Sequence, residues 1–119
     1  MWEHVFVTSQ GSARGRFGRA IRERNLFMAE LAARELRGLA LNDALDLVAL
    51  IAEVQPERVE RAAVRWHGRL EVETQLLTLA ESHLALAALG ALAAGDKNAI
   101  EILRSLLRRA RPTLGRQIG

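Results

Sequence analysis

The sequence predicts an all-α protein, a compact bundle of about five helices, and three observations point there. Apolar residues recur at spacings of three and four, as in Val59, Ala62, Ala63, Trp66 and Leu70, which places them on one side of a 3.6-residue helix. Stop and start signals divide the chain at helix-sized intervals: Gly38, Gln55 with Pro56, Thr78 with Glu81, Gly95 with Asp96, and Pro112. Strand-like alternation is confined to residues 2–7, and one short strand without a partner is unstable.

Taken in order, residues 1–15 read as a flexible N-terminal segment, because the Ser/Gly-rich stretch 8–15 follows that lone alternating run. Residues 16–112 are expected to form a single helical domain. Its first helix puts Phe17, Ala20, Ile21, Phe27, Met28 and Leu31 on one face and stops at Gly38, just after Arg37. A second helix is expected from an Asn42 cap through Val54, with Asp43 and Asp46 near its positive end and Leu47, Val48, Ile51 and Val54 supplying buried surface. Pro56 is favourable only in a first turn, so it opens a third helix packed close to the second. Thr78 and Glu81 have the spacing of a capping box, which starts a fourth helix running to Ala94; a continuous rod from Glu57 is the alternative. This fourth helix is apolar nearly all round after His83, the pattern of an innermost helix surrounded by others. Gly95 and Asp96 separate it from a last amphipathic helix carrying Ile100, Leu103, Leu106, Leu107 and Ala110, and residues 113–119 form a short loose tail.

Composition narrows the function classes. Half of the 119 residues are apolar, enough for one core, and the absence of cysteine removes thiol catalysis, thiolate metal sites and disulfides. No signal peptide or membrane-length apolar run is visible, so a soluble, cytoplasmic protein is expected, without membrane contact. The net charge of +3 is segregated: residues 1–24 hold five arginines against Glu3 and Glu23, residues 104–119 hold five and no acid, and the middle is acidic. Basic ends of this kind can meet nucleic acid or an acidic partner, or simply keep the chain soluble.

The stretch with the most distinct chemistry is residues 56–73, PERVERAAVRWHGRLEVE. Arg58, Arg61, Arg65 and Arg69 collect into one helical stripe beside the apolar one, with Glu60, His67 and Glu71 on a third side. Trp66 could stack on a base or anchor an interface, but its apolar companions assign it to the core. The arginines either lay their stems over the core edge and pair with Glu57 or with acids of a neighbouring helix, or form a binding face for an acidic partner. His67 and Glu71, one turn apart, could give two metal ligands, but a third would have to come from His83 or Glu60 and no spacing fixes it. Glu81, Ser82 and His83 point in different directions and form no triad among themselves, and RGRFGR lacks the spacing of a phosphate loop. No catalytic residue, metal site or cofactor is expected from these patterns.

Two resemblances add to this. In residues 48–62, VALIAEVQPERVERA, the positions of Ala49, Val54 and Val59 resemble the small and hydrophobic positions of helix-turn-helix DNA-binding proteins, although Glu53 stands where the turn usually has glycine. That resemblance implies that Arg58 and Arg61 approach DNA while Arg14, Arg16 and Arg19 act as a flexible basic arm, with Glu57 and Glu60 opposing phosphate contact. More broadly, RNLFMAELAAREL, LNDALDLVALIAE and PERVERAAVRWHGR, within residues 17–94, are similar to an uncharacterised group of small bacterial all-helical proteins. That likeness implies one helical domain and no activity.

The leading expectation is therefore a non-catalytic helical module that binds another macromolecule, most simply a protein, through Arg58, Arg61, Arg65 and Arg69. Self-association is a further possibility given the apolar content. A nucleic-acid-binding regulator using Arg14, Arg16, Arg19, Arg58 and Arg61 is the alternative, and an enzyme or metal protein stands third.

Overall fold

In the computed structural model, residues 11–110 can be described, and among them all regular structure is helical. Six α-helices follow one another: α1 (Ala13–Arg22), α2 (Leu26–Leu36), α3 (Leu41–Val54), α4 (Val59–Glu73), α5 (Leu79–Ala93) and α6 (Ala99–Ala110), with a 3-10 turn, Pro56–Arg58, leading into α4. The chain divides into two compact units, Met1–Ala40 and Leu41–Gly119. The expectations for residues 1–10 and 111–119, the N-terminal strand-like run and the tail, lie outside the described residues.

The first unit is an α1–α2 hairpin. Residues 12–15 are not linker, as expected from their Ser/Gly content: the Ser12 side chain accepts a hydrogen bond from the Gly15 amide and caps α1. Nor is there one helix up to Gly38. Arg24 adopts a left-handed φ of 57°, and Asn25 then caps α2 by accepting from the Met28 amide. The chain therefore turns back at residues 23–25, and the single apolar face is broken: Phe17, Ala20, Leu26, Ala29 and Ala32 are buried, whereas Phe27 is 70% exposed. Arg16 donates two hydrogen bonds to Glu35 across the hairpin, at 3.1 and 2.8 Å.

The second unit holds four helices. α3 and α4 pack as neighbours on either side of the Pro56 turn, α5 and α6 pair next, and α3 also touches α5 and α6 while α4 touches α5. α3 starts at Leu41, so Asn42 lies inside its first turn instead of capping it, and the Asn42 side chain meets Arg104 at 3.5 Å. The core is lined by Leu41, Leu45, Val48 and Ile51 of α3, Val59, Ala63, Trp66 and Leu70 of α4, Ala85, Ala88, Leu89 and Leu92 of α5, and Leu103, Leu106 and Leu107 of α6.

Two junctions are set by local chemistry. Thr74 ends α4: its hydroxyl donates to the Leu70 carbonyl at 2.7 Å and its amide to the same oxygen. Four residues later, Thr78 and Glu81 form the expected capping box, each side chain accepting from the other's amide, so α4 and α5 are separate helices. Gly95, at φ +105°, supplies the left-handed turn that stops α5, and Asp96 accepts from the Asn98 amide on the way into α6.

One expectation about packing is overturned. α5 is not innermost; Leu79, Ala80, His83, Leu84, Leu86, Ala87, Gly90 and Ala94 are exposed along one side of it. The apolar character that suggested a surrounded helix continues instead onto an open face.

Candidate functional site

α4 carries the residues singled out by the sequence, and its orientation is fixed by Trp66. That ring is 2% exposed, flanked on its own helix by Val59, Ala63 and Leu70, and its Nε1–H donates to the Leu41 carbonyl at 2.9 Å. Both the apolar ring and its one polar atom are thereby satisfied in the core, and Trp66 cannot offer a stacking surface to a base. With that side inward, the opposite side of α4 presents Arg61, Val64, Arg65, Gly68 and Val72 to solvent. Val64 is 64% exposed and Val72 80%.

The four-arginine stripe does not act as a unit. Arg58, in the 3-10 turn, donates to the Gln55 side chain at 2.8 Å. Arg69 donates to both carboxylate oxygens of Glu73, at 2.7 and 3.2 Å, a pairing within its own helix and not with Glu57 or a neighbouring helix. Arg61 and Arg65 are exposed, and among the described residues neither forms a hydrogen bond or ion pair. The remaining cationic outer face is thus a pair of guanidinium groups one helical turn apart, bordered by two bare valines and the unobstructed backbone of Gly68.

On the side of α4 facing α5, His67 and Glu71 are joined by Ser82, which the sequence gave no reason to place with them. The Ser82 hydroxyl donates to Glu71, and His67 Nε2 lies 3.1 Å from that hydroxyl oxygen and 3.2 Å from the Ser82 carbonyl. Because the hydroxyl proton points to Glu71 and the carbonyl can only accept, His67 Nε2 carries its proton and donates to both Ser82 oxygens. In a nucleophilic pair the imidazole would be the acceptor and would stand between hydroxyl and carboxylate. Here serine stands in the middle, so the cluster clamps α4 to α5 and does not activate a nucleophile. His83 is exposed on another side of α5, and no group of three or more His, Asp or Glu side chains suited to a metal ion occurs among the described residues.

Other ion pairs lie away from the outer face. Arg104 donates to Asp46 at 2.5 Å, tying α6 to α3. Arg109 pairs with Glu81 and donates to the Leu76 carbonyl at 2.8 Å, closing α6 onto the start of α5. The Arg109 hydrogen bond, helped by the Thr78 amide, holds the Glu81 carboxyl below the usual carboxylate range, and the Arg16 hydrogen bond does the same for Glu35.

The residues of the DNA-binding alternative are distributed differently from what it requires. Arg14, Arg16 and Arg19 sit on α1 as helical residues and not on a flexible arm, and Arg16 is engaged by Glu35. Between α3 and α4, Val59 is buried, but Val54, the hydrophobe expected inside the turn, is 45% exposed. No helix among the described residues is long and apolar enough to cross a membrane.

Fold and site together define a small all-helical protein with one cationic and apolar helix face. No protein-family model, curated protein or solved structure matches the chain.

Proposed function

We propose that this chain is a non-catalytic helical module that binds an acidic protein segment through the outer face of α4. The observation that carries the reading is that Arg61 and Arg65 stand exposed and without a described partner beside Val64 and Val72, while Arg58 and Arg69 are engaged locally. A partner suited to this face has carboxylates spaced to meet two guanidinium groups one turn apart and apolar side chains that cover the valines. Guanidinium forks favour bidentate carboxylate pairing, and desolvation beside the valines strengthens it. Glu57 and Glu60, close in sequence to Arg61, oppose a phosphate backbone along the same helix. The polar cluster at His67 supports a non-catalytic reading because its hydrogen bonds are arranged for clamping.

Two comparisons test the reading. Immobilised full-length chain is compared with its Arg61→Ala/Arg65→Ala variant for retention of proteins from the source cells, with Lys97→Ala as the charge control. A defined set of proteins lost only on the double variant is expected. An electrophoretic mobility shift with duplex DNA across a salt series is expected to show no complex at low salt. A shift that weakens steeply with salt and disappears on Arg58→Ala/Arg61→Ala would replace the protein reading with the nucleic-acid one.

A further inference from the structure

The exposed side of α5 is independent of the α4 face and has a pattern of its own. At 100° per residue, Leu79, His83, Leu86, Ala87, Gly90 and Ala94 fall within one strip, and all six are exposed. Leu79 is 74% exposed and Leu86 46%, with Leu84 on the flank at 46%. No charged residue lies in the strip, although charges occur on the outward side of α4 and α6.

The order of sizes along the strip is complementary to its own reverse. Placing a second α5 antiparallel, with a two-fold axis between Leu86 and Ala87, sets Leu79 against Ala94, His83 against Gly90 and Leu86 against Ala87. Each large side chain meets a small one, so the helices can approach closely without a clash. A Cβ at Gly90 would meet nothing within 4 Å in the single chain, so the space over that residue is open to a neighbour. Antiparallel pairing also sets each helix's positive end beside the other's negative end. We propose that this face of α5 is a homodimer interface whose occupant is α5 of a second copy in this antiparallel register.

Charge and area agree with that occupant. An uncharged strip brings no like charges together across a two-fold axis, gives nothing for a nucleic acid to neutralise, and lacks the basic flank that an interfacial membrane helix uses. α5 has 15 residues, and half the lateral surface of such a helix, about 22 Å long and about 11 Å across, is about 380 Å². Two copies bury roughly 760 Å² in total, below the roughly 1,200 Å² typical of stable complexes. The dimer is therefore weak and concentration-dependent.

Sedimentation equilibrium of the full chain from about 10 µM to about 1 mM tests this, on the order of the affinity such an area allows. The weight-average mass should rise from 13.2 kDa towards twice that value. Ala87→Glu, which places two carboxylates across the axis on an already exposed helical position, should hold the mass at the monomer value with an unchanged circular dichroism spectrum. Because the chain has no cysteine, a His83→Cys chain mixed with a Gly90→Cys chain should be joined by a short bis-maleimide more efficiently than either chain alone. A monomer throughout the range, a dimer indifferent to Ala87→Glu, or equal or better linking within the His83→Cys chain alone would each overturn the proposal.

Discussion

Replacing Trp66 by Phe probes the contact that orients α4. The substitution removes the indole N–H that reaches the Leu41 carbonyl at 2.9 Å and shortens a ring that is 2% exposed. The lost hydrogen bond costs about 1 kcal/mol, because the Leu41 carbonyl sits at the start of α3 and keeps its place in the helical ladder. The vacated space, about 40 Å³ at about 24 cal/mol per Å³, adds about 1 kcal/mol. The expected total is about 2 kcal/mol, and for a unit of this size it corresponds to a fall in Tm of about 8–16 °C. Urea unfolding followed by far-UV circular dichroism measures it without depending on the fluorescence of Trp2, and the midpoint should drop with an unchanged slope. A loss under about 0.5 kcal/mol is what a surface ring would give. That result would refute the inward placement of Trp66 and, with it, the outward placement of Arg61 and Arg65.

Three further outcomes are expected. Thr78→Ala breaks both halves of the capping box that starts α5 and should cost about 1 kcal/mol in the same assay, whereas Thr78→Ser should restore most of it. Ser82→Ala removes the central member of the α4–α5 clamp and should destabilise by about 1–2 kcal/mol, with the loss recovered by Ser82→Thr if the hydroxyl alone matters. Glu81 and Glu35 have carboxyls held below their unfolded values, so the stability they confer is fully present above the ordinary carboxylate range, about pH 4–5, and is lost as pH falls through the lowered folded values. Acid titration of Tm should therefore be steeper for the wild type than for Glu81→Gln, and an identical acid limb would contradict the Arg109 and Thr78 contacts.

Local signals carried much of the architecture. Thr78 and Glu81, Pro56 and Gly95 each act through hydrogen bonds or backbone freedom within a few residues, so their effect is readable from spacing. The inward stripe of Val59, Ala63, Trp66 and Leu70 follows from helical periodicity in the same way. The turn at residues 23–25 was not readable, because Arg24 occupies a left-handed conformation without the glycine that usually announces one. The exposure of α5 was hidden for a different reason: a helix that is apolar all round has no polar face to mark solvent, and sequence cannot distinguish a covered side from a bare one. The arginine stripe was legible as a face but not as a charge distribution. Arg69 and Glu73 have the i, i+4 spacing of an ion pair, whereas the meeting of His67 and Glu71 with Ser82 depends on how α4 and α5 pack.

The most direct measurement on the α4 face is photo-crosslinking from Gly68, whose position lies between Arg61, Arg65 and Val72 and where a Cβ meets nothing within 4 Å. A benzophenone side chain is introduced there in the full chain, irradiated in extract of the source cells, and the adducts are identified by mass spectrometry with and without Arg61→Glu/Arg65→Glu. The expected result is a discrete protein adduct, joined through an acidic segment, that weakens between low and high salt and vanishes on charge reversal. An adduct pattern unchanged by the double reversal, or nucleic acid as the only adduct, would contradict protein recognition by Arg61 and Arg65.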